Sequence, residues 1–438
     1  MSGAAQSLAK SHEMPTAAGW FAPALFILAP VGASFGAWGV LGAIDVLGHS
    51  GGAWENLAGF SEPESLTTRS VVLLVFWYAA VVSMSMLAWR LGTRAPSRPQ
   101  VVALTNSVLF ERRYFFVILL AAFIGIGYSF YQIGSPLSII ESLSEQTGND
   151  LYGSLSNTAS PVTLRYSTIL AAPIGIYLWR KKVIAWPLMV LSVVLLLMNA
   201  LLAHRLSLLM AGVVYLAIWV KQREKTPQNS TKAANRWIAL LTIAVVGFSL
   251  LAALNYFRNA NYYRDAGVSN PVAMNLYQMG AYLAVPAQVS IGVSEAVMSG
   301  AWRVQSDPVS ALTAVQPTFL QLDKVSKEDS WKRASEFGYS VKFAPNFFTV
   351  SVFADTYALF GVWGWLYTFG LYALAGYVFA RIFRYGTVVA GSAGVVAYSF
   401  AEMWRIQILS YGIVIYLLAL TIGSAAIAGW SVRRTADR

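Results

Sequence analysis

Apolar residues run along this chain in blocks of about 20, without the alternation of a half-buried strand or the one-sided stripe of a water-facing helix. A helix of about 20 apolar residues spans the roughly 30 Å hydrocarbon core of a bilayer. Ten such blocks occur, at 20–44, 70–89, 114–133, 162–179, 183–203, 206–220, 237–254, 357–380, 387–404 and 406–428, each bounded by charge or by Pro, Gly and Asn. The fifth and sixth share one stretch broken only by His204-Arg205, which predicts a tight hairpin. The first block is longer than the roughly 7–15-residue core of a secretory signal and is expected to stay as a helix. The pattern predicts an all-α integral membrane protein of about ten transmembrane helices.

Lysine and arginine set the orientation, because cytoplasmic connections carry an excess of both. One side holds Lys10; Arg90, Arg94, Arg98, Arg112, Arg113; Arg180, Lys181, Lys182; Lys221, Arg223, Lys225, Lys232, Arg236; Arg381, Arg384; and Arg433, Arg434, Arg438, together 19 of the 31 basic residues. Only four of the 20 acids (Glu13, Glu111, Glu224 and Asp437) share that side, which is therefore predicted to be cytoplasmic. Residues 1–254 would carry helices one to seven, 255–356 a long periplasmic segment, and 357–438 helices eight to ten with a cytoplasmic tail. Within the long segment, MNLYQMGAYLAVPAQVSIGV (274–293) predicts an amphipathic or re-entrant helix at the membrane surface. A structureless connection of such length is uncommon unless functional, so chemistry is expected there.

Composition agrees. Charged residues make up 12% of the 438, half the roughly 25% of a soluble domain, and 57% are hydrophobic. The formal charge of +11 then acts as a topology signal and a grip on anionic head groups of membrane lipids, and nucleic acid is not expected as a partner. With no cysteine and only three histidines, spread as His12, His49 and His204, neither a disulfide framework nor a metal site is predicted.

Five arginines stand at the outer predicted depth: Arg165 after Pro161, Arg205 at the hairpin turn, Arg258 and Arg264 in NYFRNANYYRD, and Arg405 between the last two blocks. An arginine in hydrocarbon costs about 2.5–3.5 kcal/mol on insertion scales, and its planar fork suits phosphate oxygens. Each alone could snorkel to the interface; five at one level point to an anionic guest, and a lipid pyrophosphate fits. The acids of this layer are Asp355 in SVFADTYALFG, Glu402 in FAEMWRIQ and Glu336 in ASEFGY. Glu402 and Arg405 have the i, i+3 spacing of an ion pair on one helix. Asp355 is the candidate general base, expected to end a surface helix before the Gly361–Gly364 break, with Glu336 as a second candidate or a solvated loop residue. Outer aromatics including Tyr256, Tyr282, Trp302 and Tyr339 suit an interfacial belt or stacking on sugar rings. There is no Asp-x-Asp and no Gly-rich phosphate loop, so neither a metal-bound nucleotide sugar nor ATP is expected, and no cofactor is predicted.

Three stretches resemble the O-antigen polymerase family of oligosaccharide repeat-unit polymerases. NALLAHRLSLLMAGVVYLAIW (199–219) resembles its helix hairpin with an arginine at the outer turn. ALNYFRNANYYRD with YLAVPAQVS (253–290) resembles its arginine-bearing helix end and following surface helix. APNFFTVSVFADTYALFGVWGWLYTFGLYALAG (344–376) is similar to its Asn-Phe-x-Thr, acid, Phe-Gly, Gly region. The resemblance covers roughly the last 240 residues and implies a fold of the C-type glycosyltransferase superfamily. It implies a bacterial inner-membrane enzyme moving a growing polymer from undecaprenyl pyrophosphate onto a lipid-linked repeat unit at the periplasmic face. A chain-length regulator and a flippase are the protein partners it implies. Arg205, Arg258 and Arg264 would then meet the pyrophosphate, Arg165 and Arg405 the second lipid or the scaffold, Asp355 would be the base, and Tyr339 and Asn346 would join the substrate-binding set. An O-antigen ligase shares the layout but uses a histidine in its long periplasmic segment, and none occurs at 255–356 here. A polysaccharide flippase or transporter is the third reading; such proteins favour internally repeated halves, and none is visible.

Overall fold

The computed structural model describes residues 20–46, 64–133, 160–203, 206–224, 264–265, 267–304 and 350–436, with the single positions 249, 256 and 261. Among the described residues the fold is all helical, with no strand. The helices are α1 (Pro23–Val46), α2 (Thr68–Arg94), α3 (Pro99–Thr105), α4 (Val108–Ile133), α5 (Thr168–Arg180) and α6 (Trp186–Ala203). They continue as α7 (Leu206–Arg223), α8 (Pro271–Met298), α9 (Val352–Phe360), α10 (Val362–Phe383), α11 (Thr387–Gly391), α12 (Ala393–Glu402) and α13 (Gly412–Ala436). Seven helices among the described residues are long and apolar enough to cross a membrane: α1, α2, α4, α7, α8, α10 and α13. The molecule is a multi-pass all-α membrane protein.

Large apolar side chains face both inward and outward, as a bundle in hydrocarbon requires. Trp77, Tyr114, Phe353 and Phe379 are fully buried, while Val72, Val75, Phe123, Leu366 and Ile422 are exposed on the outer surface of the bundle. Lipid tails offer no hydrophobic drive between helices, so close backbone approach supplies the packing. Gly376 shows this between α10 and α2, where an added Cβ would lie 2.4 Å from the Ser85 carbonyl oxygen.

The Lys/Arg-rich end is knit together by its own cations. Arg381 donates to the carbonyls of Ala95 and Pro96 at 3.0 Å each, and Arg384 donates to Ala95 O, tying the ends of α10 and α2. Buried Glu111 accepts from Tyr177 Oη and Lys181 Nζ, both at 3.1 Å, locking the start of α4 to the end of α5. Arg113 reaches Thr435 Oγ1 at 2.8 Å, which brings in the end of α13.

Two expected spans differ in form. The fourth is a 3-10 helix, Ser160–Ser167, running into α5, and the ninth is broken into α11 and α12, followed before α13 by a stretch whose only regular element is the 3-10 turn Ile408–Ser410. Gly391-Ser392 interrupts the ninth where it crosses α7: a Cβ on Gly394 would meet Val214 Cα at 2.5 Å. The seventh, 237–254, lies outside the described residues apart from position 249.

The largest departure is α8. Instead of lying on a surface it is one 28-residue helix, and every residue from Ala284 to Ser294 is buried. Ser34 Oγ donates to Leu283 O at 2.6 Å and Trp38 Nε1 to Gln288 Oε1 at 2.6 Å, so α8 runs parallel to α1. Thr67, just before α2, donates to Glu295 near the far end. By helix rise Pro271 then lies about 18 Å below Leu283, level with the start of α1 at the Lys/Arg-rich end. A start of α8 at that end differs from the charge-based expectation that all of 255–356 lies on the opposite side. The pattern alone could not show this, because the mixture of polar and apolar residues in this stretch equally suits a helix lying at the surface. Reporter fusions after Lys225 and Gly267 are expected to read cytoplasmic and one after Lys324 periplasmic; a periplasmic signal at Gly267 would show α8 entering from the other face.

Candidate active site

Helix α9 starts inside the bundle, not at its surface. Its N-cap Ser351 is fully buried, accepts from Ala354 N at 3.0 Å, and shares a 2.7 Å hydrogen bond with Ser290 of α8. The Val352 amide donates to Met403 O at 2.9 Å, pinning the start of α9 to the break between α12 and α13. Phe353 packs edge-on to Trp77 of α2, with ring centroids 5.5 Å apart. At the other end Trp302 Nε1 donates to Ala358 O at 2.8 Å, and Gly361, at φ 55°, turns the chain into α10. A half-length helix therefore opens at depth, its first turn facing the unwound segment that follows α12.

Asp355 sits in that first turn. It begins α9 where the sequence had it ending a surface helix, because Ser351 caps the helix just upstream. The residues around it in the helix (Phe353, Ala354, Thr356 and Tyr357) are all buried, while the Asp355 side chain itself is exposed. Desolvation by the surrounding protein nevertheless pushes its carboxyl up to about 6. The carboxyl thus lies at the edge of a buried helix, beside low-dielectric material that disfavours its charge.

The second element is the Tyr398, Glu402 and Arg405 cluster. Glu402 is the last residue of α12, and Arg405 lies beyond it in the unwound stretch, so the pair is not within one helix as the spacing predicted. The ion pair itself forms: Arg405 Nε donates to Glu402 Oε2 at 2.5 Å, and Tyr398 Oη donates to Glu402 Oε1. Arg405 also stands over the rings of Tyr282 at 5.5 Å and Trp404 at 6.0 Å. The carboxylate binds the Nε edge and the aromatic faces hold the plane of the guanidinium, which is partly exposed.

A third polar group surrounds Arg165 in the 3-10 segment, which packs on α4 where Gly125 leaves room: a Cβ there would fall 2.1 Å from Arg165 N. Arg165 is 3% exposed and its Nη2 donates to Tyr166 Oη at 3.1 Å. Thr168 Oγ1 donates to Arg165 O at 2.8 Å and accepts from Asn199 Nδ2 at 2.9 Å, and Ser167 is bonded to Tyr416 near the start of α13 at 2.5 Å. Arg165 and Arg405 both flank the beginning of α13.

The structure thus assembles Asp355 with the segment carrying Glu402 and Arg405. Arg264 is exposed and bonded to Tyr256 Oη at 2.9 Å and Asn261 Oδ1 at 3.4 Å. Among the described residues it makes no contact with Asp355, Arg165 or Arg405. Arg205, Arg258, Glu336, Tyr339 and Asn346 lie outside the described residues. Sequence reasoning passed over Ser290, Ser351, Tyr398 and Asn199. Tyr398 is four residues before Glu402, and Asn199 is a lone amide in the apolar run LLLMNALLA, a signal a reader could have used. Among the described residues no group of three or more His, Cys, Asp or Glu side chains is placed to hold a metal ion. Compared with protein-family models, curated proteins and solved structures, the chain finds no match.

Proposed function

We propose that this chain is an integral membrane glycosyltransferase that polymerises undecaprenyl-pyrophosphate-linked oligosaccharide repeat units into O-antigen or a related surface polysaccharide, working from the periplasmic side of the inner membrane. The observation that carries this reading is Asp355: a carboxyl in the first turn of a buried half-helix, exposed at its side chain and raised to about 6, with the start of that helix hydrogen-bonded at Met403 to the stretch that carries Arg405. A base poised near neutral pH can take a proton from a sugar hydroxyl as it attacks. In the transfer, the acceptor oxygen forms a bond to the anomeric carbon of the donor while the bond from that carbon to the pyrophosphate oxygen breaks. The hydroxyl proton passes to Asp355 and the electron pair leaves with pyrophosphate. The developing negative charge would be met by Arg405, held in place by Glu402. Arg205, from the family resemblance, belongs to the same donor site in this proposal, with Tyr339 and Asn346 toward the sugars and Glu336 as the alternative base. Arg258 and Arg264 are left out, since Arg264 precedes α8 at the Lys/Arg-rich end and Arg258 stands six residues before it in the sequence.

The polymer profile of a strain lacking this chain tests the reading. Loss of the polymer ladder with single repeat units still reaching lipid A supports polymerisation. Full-length polymer that accumulates without attachment to lipid A would make the chain a ligase, and lipid-linked repeats trapped on the cytoplasmic side would make it a flippase; either overturns the proposal.

A further inference from the structure

Arg165 stands apart from the transfer chemistry above. It is 3% exposed, yet among the described residues it pairs with no carboxylate, and its Nε and Nη1 are buried with no hydrogen-bond partner. Only Nη2 is engaged, with Tyr166 Oη at 3.1 Å, and the Tyr166 ring lies 5.0 Å from the cation. A guanidinium has five N–H donors, so the three on Nε and Nη1 point at nothing. Buried charges are otherwise paired, because desolvating one alone is costly. The neighbouring amide repeats the pattern with opposite polarity. Asn199 is fully buried, and its Nδ2 is spent on Thr168 Oγ1 at 2.9 Å and Ser207 Oγ at 3.2 Å. Its Oδ1 is buried and accepts from no donor among the described residues. Thr168, which donates to Arg165 O, ties the two together.

Three unmet donors on a cation, and one unmet acceptor on the amide tied to its backbone through Thr168, describe a guest with negative charge, several acceptor oxygens and a hydroxyl. We propose that Arg165 and Asn199 form a buried receptor for a phosphate-class anion, separate from the Asp355 and Arg405 cluster: phosphate oxygens meet Arg165, and a P–OH or adjoining sugar hydroxyl meets Asn199 Oδ1. The placement is built into the fold. Gly125 lets the backbone of Arg165 lie directly on α4, and Ser167 bonded to Tyr416 fixes the other side of the segment against α13. The same chemistry serves a free phosphate or the head group of a lipid phosphate.

The test uses the purified full-length chain in detergent, with thermal melting and equilibrium binding read against inorganic phosphate and against farnesyl pyrophosphate, and sodium chloride at matched ionic strength as control. Stabilisation by farnesyl pyrophosphate alone identifies a lipid head group, and stabilisation by both identifies a site open to free anion; either supports the receptor. Arg165→Gln is expected to weaken binding at least tenfold, Arg165→Lys to retain part of it, and Asn199→Ala to weaken it severalfold. If the Gln variant does not fold, the Lys and Ala variants carry the comparison. Asp355→Asn is expected to bind like wild type, so failure of the transfer reading leaves this result standing. No stabilisation by either probe, equal stabilisation by chloride, or unchanged binding in the Arg165 and Asn199 variants overturns the receptor.

Discussion

Asp355→Asn is expected to stop chain growth while leaving the protein folded and able to bind lipid-linked repeat units. The asparagine is nearly the same size and keeps the helix start set by Ser351, so packing of α9 is unaffected. It cannot take a proton, and loss of a general base costs about 10²- to 10⁴-fold in rate. The wild type carries a matching pH signature. Its carboxyl sits at about 6, so activity should rise with pH up to about 6 and level above it, falling roughly tenfold per unit below. The stability signature has the opposite sign. An aspartate in the unfolded chain titrates near 3.9, so between about 4 and 6 the folded state binds more protons than the unfolded state. Stability is therefore highest below about 4, declines as pH rises to about 6, and is level beyond; Asp355→Asn should remove that slope. Polymer-ladder assays and melting curves across pH 4 to 8 read both effects. An Asp355→Asn enzyme with wild-type activity would move the role of base to Glu336.

Glu402→Gln is expected to be the most destabilising single change at the site. Glu402 is 5% exposed and holds both Arg405 and Tyr398, so neutralising it leaves a largely enclosed guanidinium without its counter-charge. Breaking one partner out of a buried pair costs about 3 to 5 kcal/mol. The Arg405 side chain is 20% exposed, which places the expectation at the lower end of that range. Tyr398→Phe removes one hydrogen bond to a charged group and is expected to cost less, about 1.5 to 3 kcal/mol. Replacing both ends together separates scaffold from chemistry. A Glu402→Met, Arg405→Met chain should regain most of the stability, since apolar replacement of a whole buried pair is often neutral. It should still make no polymer, because nothing then meets the leaving pyrophosphate. Melting temperatures of the purified variants with ladder assays decide, and an active double variant would remove Arg405 from the donor site.

The elements most legible in the sequence were those whose evidence is local. Blocks of apolar residues marked α1, α2, α4, α7, α10 and α13, because crossing hydrocarbon demands length and composition that few other structures share. The Glu402 and Arg405 ion pair was legible from its spacing. Asp355 could be picked out as an acid in an apolar setting, but the direction of its helix could not, since that depends on Ser351 meeting Ser290 across 61 residues of chain. The fate of α8 was likewise invisible. MNLYQMGAYLAVPAQVSIGV mixes polar and apolar residues, which from the sequence alone reads as one wet face and one greasy face. In the fold its polar groups are met by distant partners: Gln288 by Trp38 and the Glu64 amide, and Glu295 by Thr67.

By itself, then, the sequence determined that the chain is an all-helical membrane protein with a strongly basic end, because hydrophobic length and charge are properties of composition. Only the tertiary structure decided that α8 runs through the bundle, that the ninth apolar block breaks at Ser392, and that Asp355 stands in the first turn of a half-helix pinned at Met403. It also left three N–H donors of Arg165 buried without partners among the described residues. Each of these depends on which polar atoms meet across hundreds of residues. In a medium without water every such atom must be matched from within the fold, and that matching is written in no local stretch of sequence.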